Sequence, residues 1–317
     1  MKKIIAVMII GIIMLALGGC ASNKKEDAAP KAGQLQELSV GLMPDVDSIP
    51  FIIAQEKGYF KEEGLTVTLK SFKSALDRDS ALQSGNLDGV ISDMLAEAFA
   101  KAGGFNTVIT SSTNGSYKLV VNKDETATSI QQLKGKDVAM SKNTIIEYVT
   151  DKMMTAGGLA STDINKIIIP QIPTRLEMLQ NGKIAAATLP EPMATLAVKN
   201  GAKLLNSSDK LGINPGVMIF TGKAVSEKEK EIQAMYRAYN KAIDYLAHEP
   251  MENYVDLLIE KGGFPNGIKG ALVLPQYQKP AAPQPKDIED VITWLQARQL
   301  IEKGYLYKEL VDDRFVR

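Results

Sequence analysis

Five carboxylates, Asp45, Asp47, Asp93, Glu147 and Glu191, fall in or beside segments where a short apolar run gives way to an amphipathic one. In a chain that alternates strand and helix, such junctions are where ligands meet an open sheet. Ser48, Ser74, Ser92, Ser111, Asn143 and Thr144 gather at the same junctions. Ahead of a helix, free backbone N–H groups and a hydroxyl favour an anionic group. The competing role for each is plain N-capping, and the two are compatible. Arg78 and Arg175 are the only arginines before Arg237, and either could clamp an oxyanion. The alternative for both is a solvated helix face, and Arg78 sits between Asp77 and Asp79, which favours local pairing. So many acids suit a ligand with an amino group rather than a bare anion, because like charges repel at close range. Phe51, Phe72, Tyr117 and Tyr148 could stack on a ring or simply fill the core.

Catalysis has little to work with. The chain has one histidine, His248, placed as a helix C-terminal cap. It has no Gly-x-Ser-x-Gly, no phosphate-cradling glycine loop and no metal-ligand spacing. The expectation is a binding protein, with no enzymatic activity, no cofactor and no metal.

The other reactive group is Cys20, the only cysteine of the chain. It rules out an intrachain disulfide and a cysteine-based metal or redox site. Lys2 and Lys3 precede an apolar run from Ile4 to Leu17 that ends in Leu17-Gly18-Gly19-Cys20. A positive start, a short apolar stretch and small residues at its end describe a secretory signal. A membrane span would need about 20 apolar residues. The Leu-Gly-Gly-Cys end resembles the lipobox of bacterial lipoproteins, which implies lipidation of the Cys20 thiol. Residues 1–19 are then signal peptide and residues 20–36 a lipidated cysteine with a polar, flexible tether. An uncleaved anchor helix is the alternative.

These residues need elements to position them. Nearly 300 residues follow the signal, enough for two domains of roughly 150 each. Apolar content of 45% and charged content of 23% are ordinary for a globular protein. Without Lys2 and Lys3, 35 basic residues face 37 acidic ones, a balance of −2 that offers no footprint for nucleic acid. From Leu38 to Val121 the pattern is β-α-β-α-β-α-β-β, with strands at Leu38–Leu42, Leu65–Leu69, Gly89–Ile91, Thr107–Ile109 and Lys118–Val121. It restarts at Lys136–Met140 and runs to Lys203–Leu205, with one more strand at Val217–Phe220 and only helices after it. The alternation predicts an α/β fold with mostly parallel sheets in two lobes. Trailing helices must pack on an existing sheet, so residues 37–121 and 217–317 form lobe 1 and residues 122–216 lobe 2. Two interlobe crossings leave a cleft between the lobes.

The run Asp47-Ser48-Ile49-Pro50-Phe51-Ile52-Ile53-Ala54, followed by Gly58-Tyr59-Phe60-Lys61-Glu62-Glu63-Gly64-Leu65, resembles the opening of solute-binding proteins of the nitrate/sulfonate/taurine ABC importers, a group that includes binders of thiamine-pyrimidine precursors. Ala81-Leu82-Gln83-Ser84-Gly85-Asn86-Leu87-Asp88 is similar to that group's "A-L-x-S-G-x-x-D", and Leu179-Gln180-Asn181-Gly182-Lys183-Ile184 with Glu191-Pro192 to its second-lobe counterpart. Ala185 stands where that group usually has Asp. The resemblance covers nearly the whole mature chain. It implies a type II periplasmic-binding-protein fold, a small-molecule solute and delivery to an ABC permease and its ATPase. A lipid-anchored monomer on the extracytoplasmic face of the cell membrane is the expected form. A sensory or scaffold lipoprotein is the reading from another class. Pyrimidine synthases related to this group use histidine and a cysteine-rich motif; here the one histidine is the helix-end His248 and no cysteine-rich motif exists.

Overall fold

The computed structural model describes residues 35–317. The signal segment 1–19, Cys20 and the tether as far as residue 34 lie outside the described residues.

The alternation of short apolar strands and amphipathic helices produces β1 (Leu38–Leu42), α1 (Ile49–Glu56), α2 (Tyr59–Glu62), β2 (Val67–Ser71), α3 (Ala75–Gln83), β3 (Gly89–Asp93), α4 (Met94–Ala102) and β4 (Thr107–Ser112). β5 (Tyr117–Val121), β6 (Asp137–Met140), α5 (Ile145–Ala156), β7 (Asn165–Ile168), α6 (Ile172–Gln180), β8 (Ala186–Pro190), α7 (Met193–Lys199), β9 (Lys203–Ser207) and α8 (Ser208–Leu211) follow. The chain ends in β10 (Gly216–Thr221), α9 (Gly222–Glu227), α10 (Glu229–His248), α11 (Val255–Gly262), α12 (Pro285–Ala297) and α13 (Tyr307–Leu310). Among the described residues no helix is long and apolar enough to cross a membrane.

Two five-stranded sheets result, ordered β2-β1-β3-β10-β4 and β7-β6-β8-β5-β9. In each, the central strands β3 and β8 are buried along their whole length, on both faces. The sheets are built alike. β10 enters the first between β3 and β4, antiparallel to both. β5 enters the second between β8 and β9, again antiparallel to both. Each strand that follows a crossing is therefore driven into the interior of its new sheet.

This corrects two expectations. Tyr117–Val121 belongs to the second sheet, so the chain leaves the first lobe at Thr113–Ser116, before the boundary expected at residue 121. The sheets are also mixed rather than mostly parallel, because β5 and β10 run against their neighbours. The period of two along a strand records which face is buried and carries no information about the partner strand.

The trailing helices pack largely on the first lobe. α10 lies along α1 and α2 and buries Ile232, Met235, Tyr239, Ile243 and Leu246 at helical spacing. The Phe51 and Tyr239 rings meet edge to face at 5.0 Å. Gly58 (φ 77°) and Gly64 (φ 71°) bracket α2 and allow the chain to reverse between α1 and β2, in a backbone region open mainly to glycine. Phe60 then closes the core at that corner. The segment between α11 and α12, rich in proline, contains only a short 3-10 turn, as expected of a loop.

Candidate functional site

The strand ends of both sheets converge on a small cavity of about 40 Å³ between the lobes. The lobes meet around it. Val46 N–H donates to the Glu191 carbonyl (3.0 Å) and Ile172 N–H to the Lys73 carbonyl (3.1 Å), both bonds crossing from one sheet system to the other. The first lobe lines the cavity with Asp45, Asp47, Arg78, Ser92 and Asp93, and the second with Tyr117, Ser141, Thr144 and Arg175. Met43, Ile91, Ile145 and Ile172 supply apolar wall.

The acids lie at the ends of β1 and β3. Asp45 and Asp47 follow β1 in one short turn. Asp47 accepts the Asn114 N–H (2.6 Å), which ties the cavity to the first crossing segment. Burial pushes both carboxyls well above the usual range, and the neighbouring Asp45 charge raises Asp47 further. Asp93 ends β3, caps α4 by accepting the Ala96 N–H (2.9 Å), and lies 3.7 Å from Arg78 Nη2. Burial raises it to about 6, against the pull of Arg78.

Arg78 is committed. Its Nε donates to Asp79 Oδ1 (2.8 Å), and burial, which opposes its charge, is outweighed by Asp79 and Asp93, so its pKa is raised. The local pairing expected from Asp77-Arg78-Asp79 is thus present, and the same side chain also walls the cavity. Ser92 Oγ reaches toward Asp79 at 3.4 Å.

Arg175 is the opposite case. It projects from α6 and is fully buried. Nη1 donates to the Ile169 carbonyl (2.8 Å), while Nε and Nη2 have no partner. Burial alone lowers its pKa to about 10. A buried guanidinium with open donors beside a cavity is a costly arrangement unless something fills it. The solvated-face alternative for this residue is excluded by its burial. The legible signal was position: Arg175 occupies the apolar stripe of α6 with Ile172, Leu176 and Leu179.

The remaining expected residues are placed as follows. Thr144 lines the cavity and caps α5 by accepting the Ile146 N–H (3.2 Å). Asn143, at φ 55°, does not line this cavity; it lines a neighbouring pocket with Ser141 and Thr144, and its N–H donates to Glu147 Oε2 (2.7 Å). Ser48 is buried behind Asp45 and braces the turn by donating to the Met43 carbonyl (2.6 Å). Ser74 caps α3, accepting the Asp77 N–H (3.2 Å). Glu191 accepts the Thr195 N–H (3.0 Å) and pairs with Lys118, so its carboxylate is occupied in lobe 2. Ser111 points away from the cavity and accepts the Tyr236 hydroxyl (2.9 Å). A bulge in β4 leaves Thr110 unpaired between Ile109 and Ser111, and this re-aims the residues after it. Of the four aromatic candidates, Tyr117 reaches the cavity, while Phe51 packs on Tyr239 and Tyr148 on Trp294.

Solved structures resemble this fold closely at low identity. The ligand-binding component of an ABC-type import system from Staphylococcus aureus, with zinc bound, matches with a TM-score of 0.76 at 14% identity, over 88% of this chain and 97% of that one. The alkanesulfonate-binding protein SsuA from Xanthomonas axonopodis pv. citri, bound to MOPS, gives 0.73 at 17%, over 87% and 98%. The nitrate-binding protein NrtA from Synechocystis PCC 6803 gives 0.64 at 16%, over 79% and 74%. Among the described residues no group of three or more His, Cys, Asp or Glu side chains is arranged to hold a metal ion. No curated protein sequence matched the chain. The likenesses establish the two-lobed type II periplasmic-binding-protein fold. Residues 45–253, more than half of the chain, match the family described as NMT1/THI5 like, and the chain belongs to that family.

Proposed function

We propose that this protein is the extracytoplasmic solute-binding component of an ABC importer, which captures a small organic solute between its lobes and delivers it to a permease and its ATPase. The observation that carries the reading is the division of charge across the cavity. Three carboxyls, Asp45, Asp47 and Asp93, with Arg78 already paired among them, face it from the first lobe, and the open donors of Arg175 face it from the second. A dipolar solute, anionic at one end and amino-bearing at the other, satisfies both walls only when the lobes are closed, so its binding energy favours closure.

Among the solutes of the sulfonate, taurine and nitrate class, this favours an aminosulfonate such as taurine over nitrate. An aminopyrimidine answers the carboxyls equally well and is the second reading, with Tyr117 available to its ring. Residues proposed to touch the solute are Asp45, Asp47, Arg78, Ser92, Asp93, Thr144 and Arg175. The reading also proposes a monomer tethered to the membrane through lipidated Cys20. Binding rather than catalysis is the proposed role, with capture needing no covalent step.

A thermal-shift screen of taurine, alkanesulfonates, nitrate, aminopyrimidines and aromatic acids tests it. A true solute at 100 times its Kd should add about 2.7 kcal/mol of stability. No shift with any of them would overturn the transport reading in favour of a sensory or scaffold role. Metabolic labelling with palmitate, lost in Cys20→Ser, tests the anchor separately.

A further inference from the structure

α12 carries two stripes. Ile288, Val291, Ile292 and Leu295 are buried. Asp290, Trp294 and Arg298 recur every four residues along a second stripe. The backbone of α12 packs on α4 and α13, and α13 packs on α4 and β4, so α12 rides on the first lobe. The second stripe faces α5 of the second lobe and reaches it through side chains.

Those contacts are numerous. Arg298 pairs with Asp151, lies 3.4 Å from Glu147 Oε1 and donates to Ser161 Oγ (3.1 Å). Trp294 Nε1 donates to Asp151 Oδ2 (3.2 Å), and the Arg298 guanidinium stacks 4.4 Å from the Trp294 ring. Asp290 takes Lys152 Nζ at 2.6 Å and the Tyr148 hydroxyl. On α5, Glu147 and Asp151 are almost wholly buried and also share Lys166, at 2.7 and 2.8 Å. Glu147 has a further partner. Its Oε2 holds the Asn143 N–H, which keeps the loop Ser141–Thr144 against the cavity with Asn143 in the left-handed region.

We propose that α12 is an interlobe latch: by gripping Glu147 and Asp151 with Arg298 it joins lobe closure to the shape of the cavity loop Ser141–Thr144. The contact is made mostly by long polar side chains, with one aromatic pair, Trp294 edge to face with Tyr148 at 5.6 Å, so its release exposes less apolar surface than would parting α12 from α4. Arg298 is a positioning residue here, acting on the loop through Glu147. The latch deepens the capture reading and rests on it for its purpose. Its test is run without solute, so a wrong solute assignment leaves the result readable.

Trp294, the only tryptophan of the chain, reports on the latch from within it. Solute-free wild type, Arg298→Ala and Arg298→Lys are compared by Trp294 emission, small-angle scattering and amide hydrogen exchange. In Arg298→Ala the emission should move to the red, the radius of gyration should rise, and exchange at the Asn143 amide should speed by about tenfold or more, in the usual range for linked equilibria. Arg298→Lys should recover part of each. About 1 M salt should move wild type toward Arg298→Ala, because the Debye length then falls to about 3 Å. Unchanged scattering and unchanged Asn143 exchange in Arg298→Ala would overturn the proposal, whatever happens to the melting temperature, since a static strut alters stability alone. Should Arg298→Ala fail to fold, Asp290→Asn and the wild-type salt titration make the same comparison.

Discussion

Capture of an amino-bearing solute should strengthen as pH rises from 5 to 7. Asp93 is held at about 6 by burial. About one in ten of its carboxyls is then ionised at pH 5 and about nine in ten at pH 7. Where capture needs the carboxylate, Asp93 alone lowers Kd about tenfold over that interval, and Asp45, raised by the same cause, adds to it. The assay is calorimetric titration with taurine, or with the amino-bearing solute the screen returns, in two buffers of different ionisation enthalpy. Net proton release on binding at pH 6 is expected. Proton uptake, or a Kd that rises with pH, would refute the reasoning and point to a bare anion. The solute-free protein supplies a companion measurement. Its Asp93 pKa exceeds the unfolded value of 3.8, so the stability this group contributes is present below pH 4 and lost as pH rises through about 6. The loss amounts to about 3 kcal/mol for a two-unit shift, and Asp93→Asn should flatten that part of the pH–stability curve.

Arg175→Met should weaken capture by on the order of 100-fold while raising the solute-free melting temperature, because it removes a buried guanidinium with two open nitrogens. A variant that loses stability and keeps affinity would show that Arg175 serves the fold. Ser111→Ala should leave affinity unchanged and cost about 1 kcal/mol in urea unfolding through the lost Tyr236 bond; weakened capture would return Ser111 to the site. Gly115→Ala places a Cβ 2.7 Å from both Asp47 Oδ2 and the Tyr117 hydroxyl, at the crossing between lobes. It should destabilise by about 1–3 kcal/mol and disturb capture through Asp47, and wild-type values for both would contradict the packing described.

Much of this is legible in the sequence alone. The strand and helix succession follows from local periodicity, and the rule that ligands meet strand ends located Asp45, Asp47, Ser92, Asp93 and Thr144 on the cavity wall. The failures share a cause. β5 has the same alternating pattern whichever sheet it joins, and only long-range pairing with β8 and β9 decides the matter. Ser111 stands at a strand end as Asp93 does, yet the bulge at Thr110 turns it toward Tyr236. Ser74 and Glu191 have the right positions, but their oxygens are taken by local N–H groups and a lysine. Arg175 was visible as a charge on an apolar stripe, and its lack of a partner emerges only when the lobes are brought together.

The charge pattern of the closed cavity gives the selection its physical basis. Two unit charges about 4 Å apart at an effective dielectric constant of about 20 interact by about 4 kcal/mol. A bare oxyanion answering Arg175 would also face three carboxyls, and each that stayed ionised would oppose it by an energy of that order at such a distance. It would bind by forcing protons onto them, which is the proton uptake that the calorimetric test detects. An amino group at the same place gains the interaction instead, and it offsets the burial that raises the pKa of these carboxyls. Because the carboxyls belong to one lobe and the open guanidinium to the other, a solute that satisfies only one of them gains little from closure. On this reading, selectivity and lobe closure come from one arrangement of charge: a solute that lacks either end binds weakly because it cannot hold the lobes together.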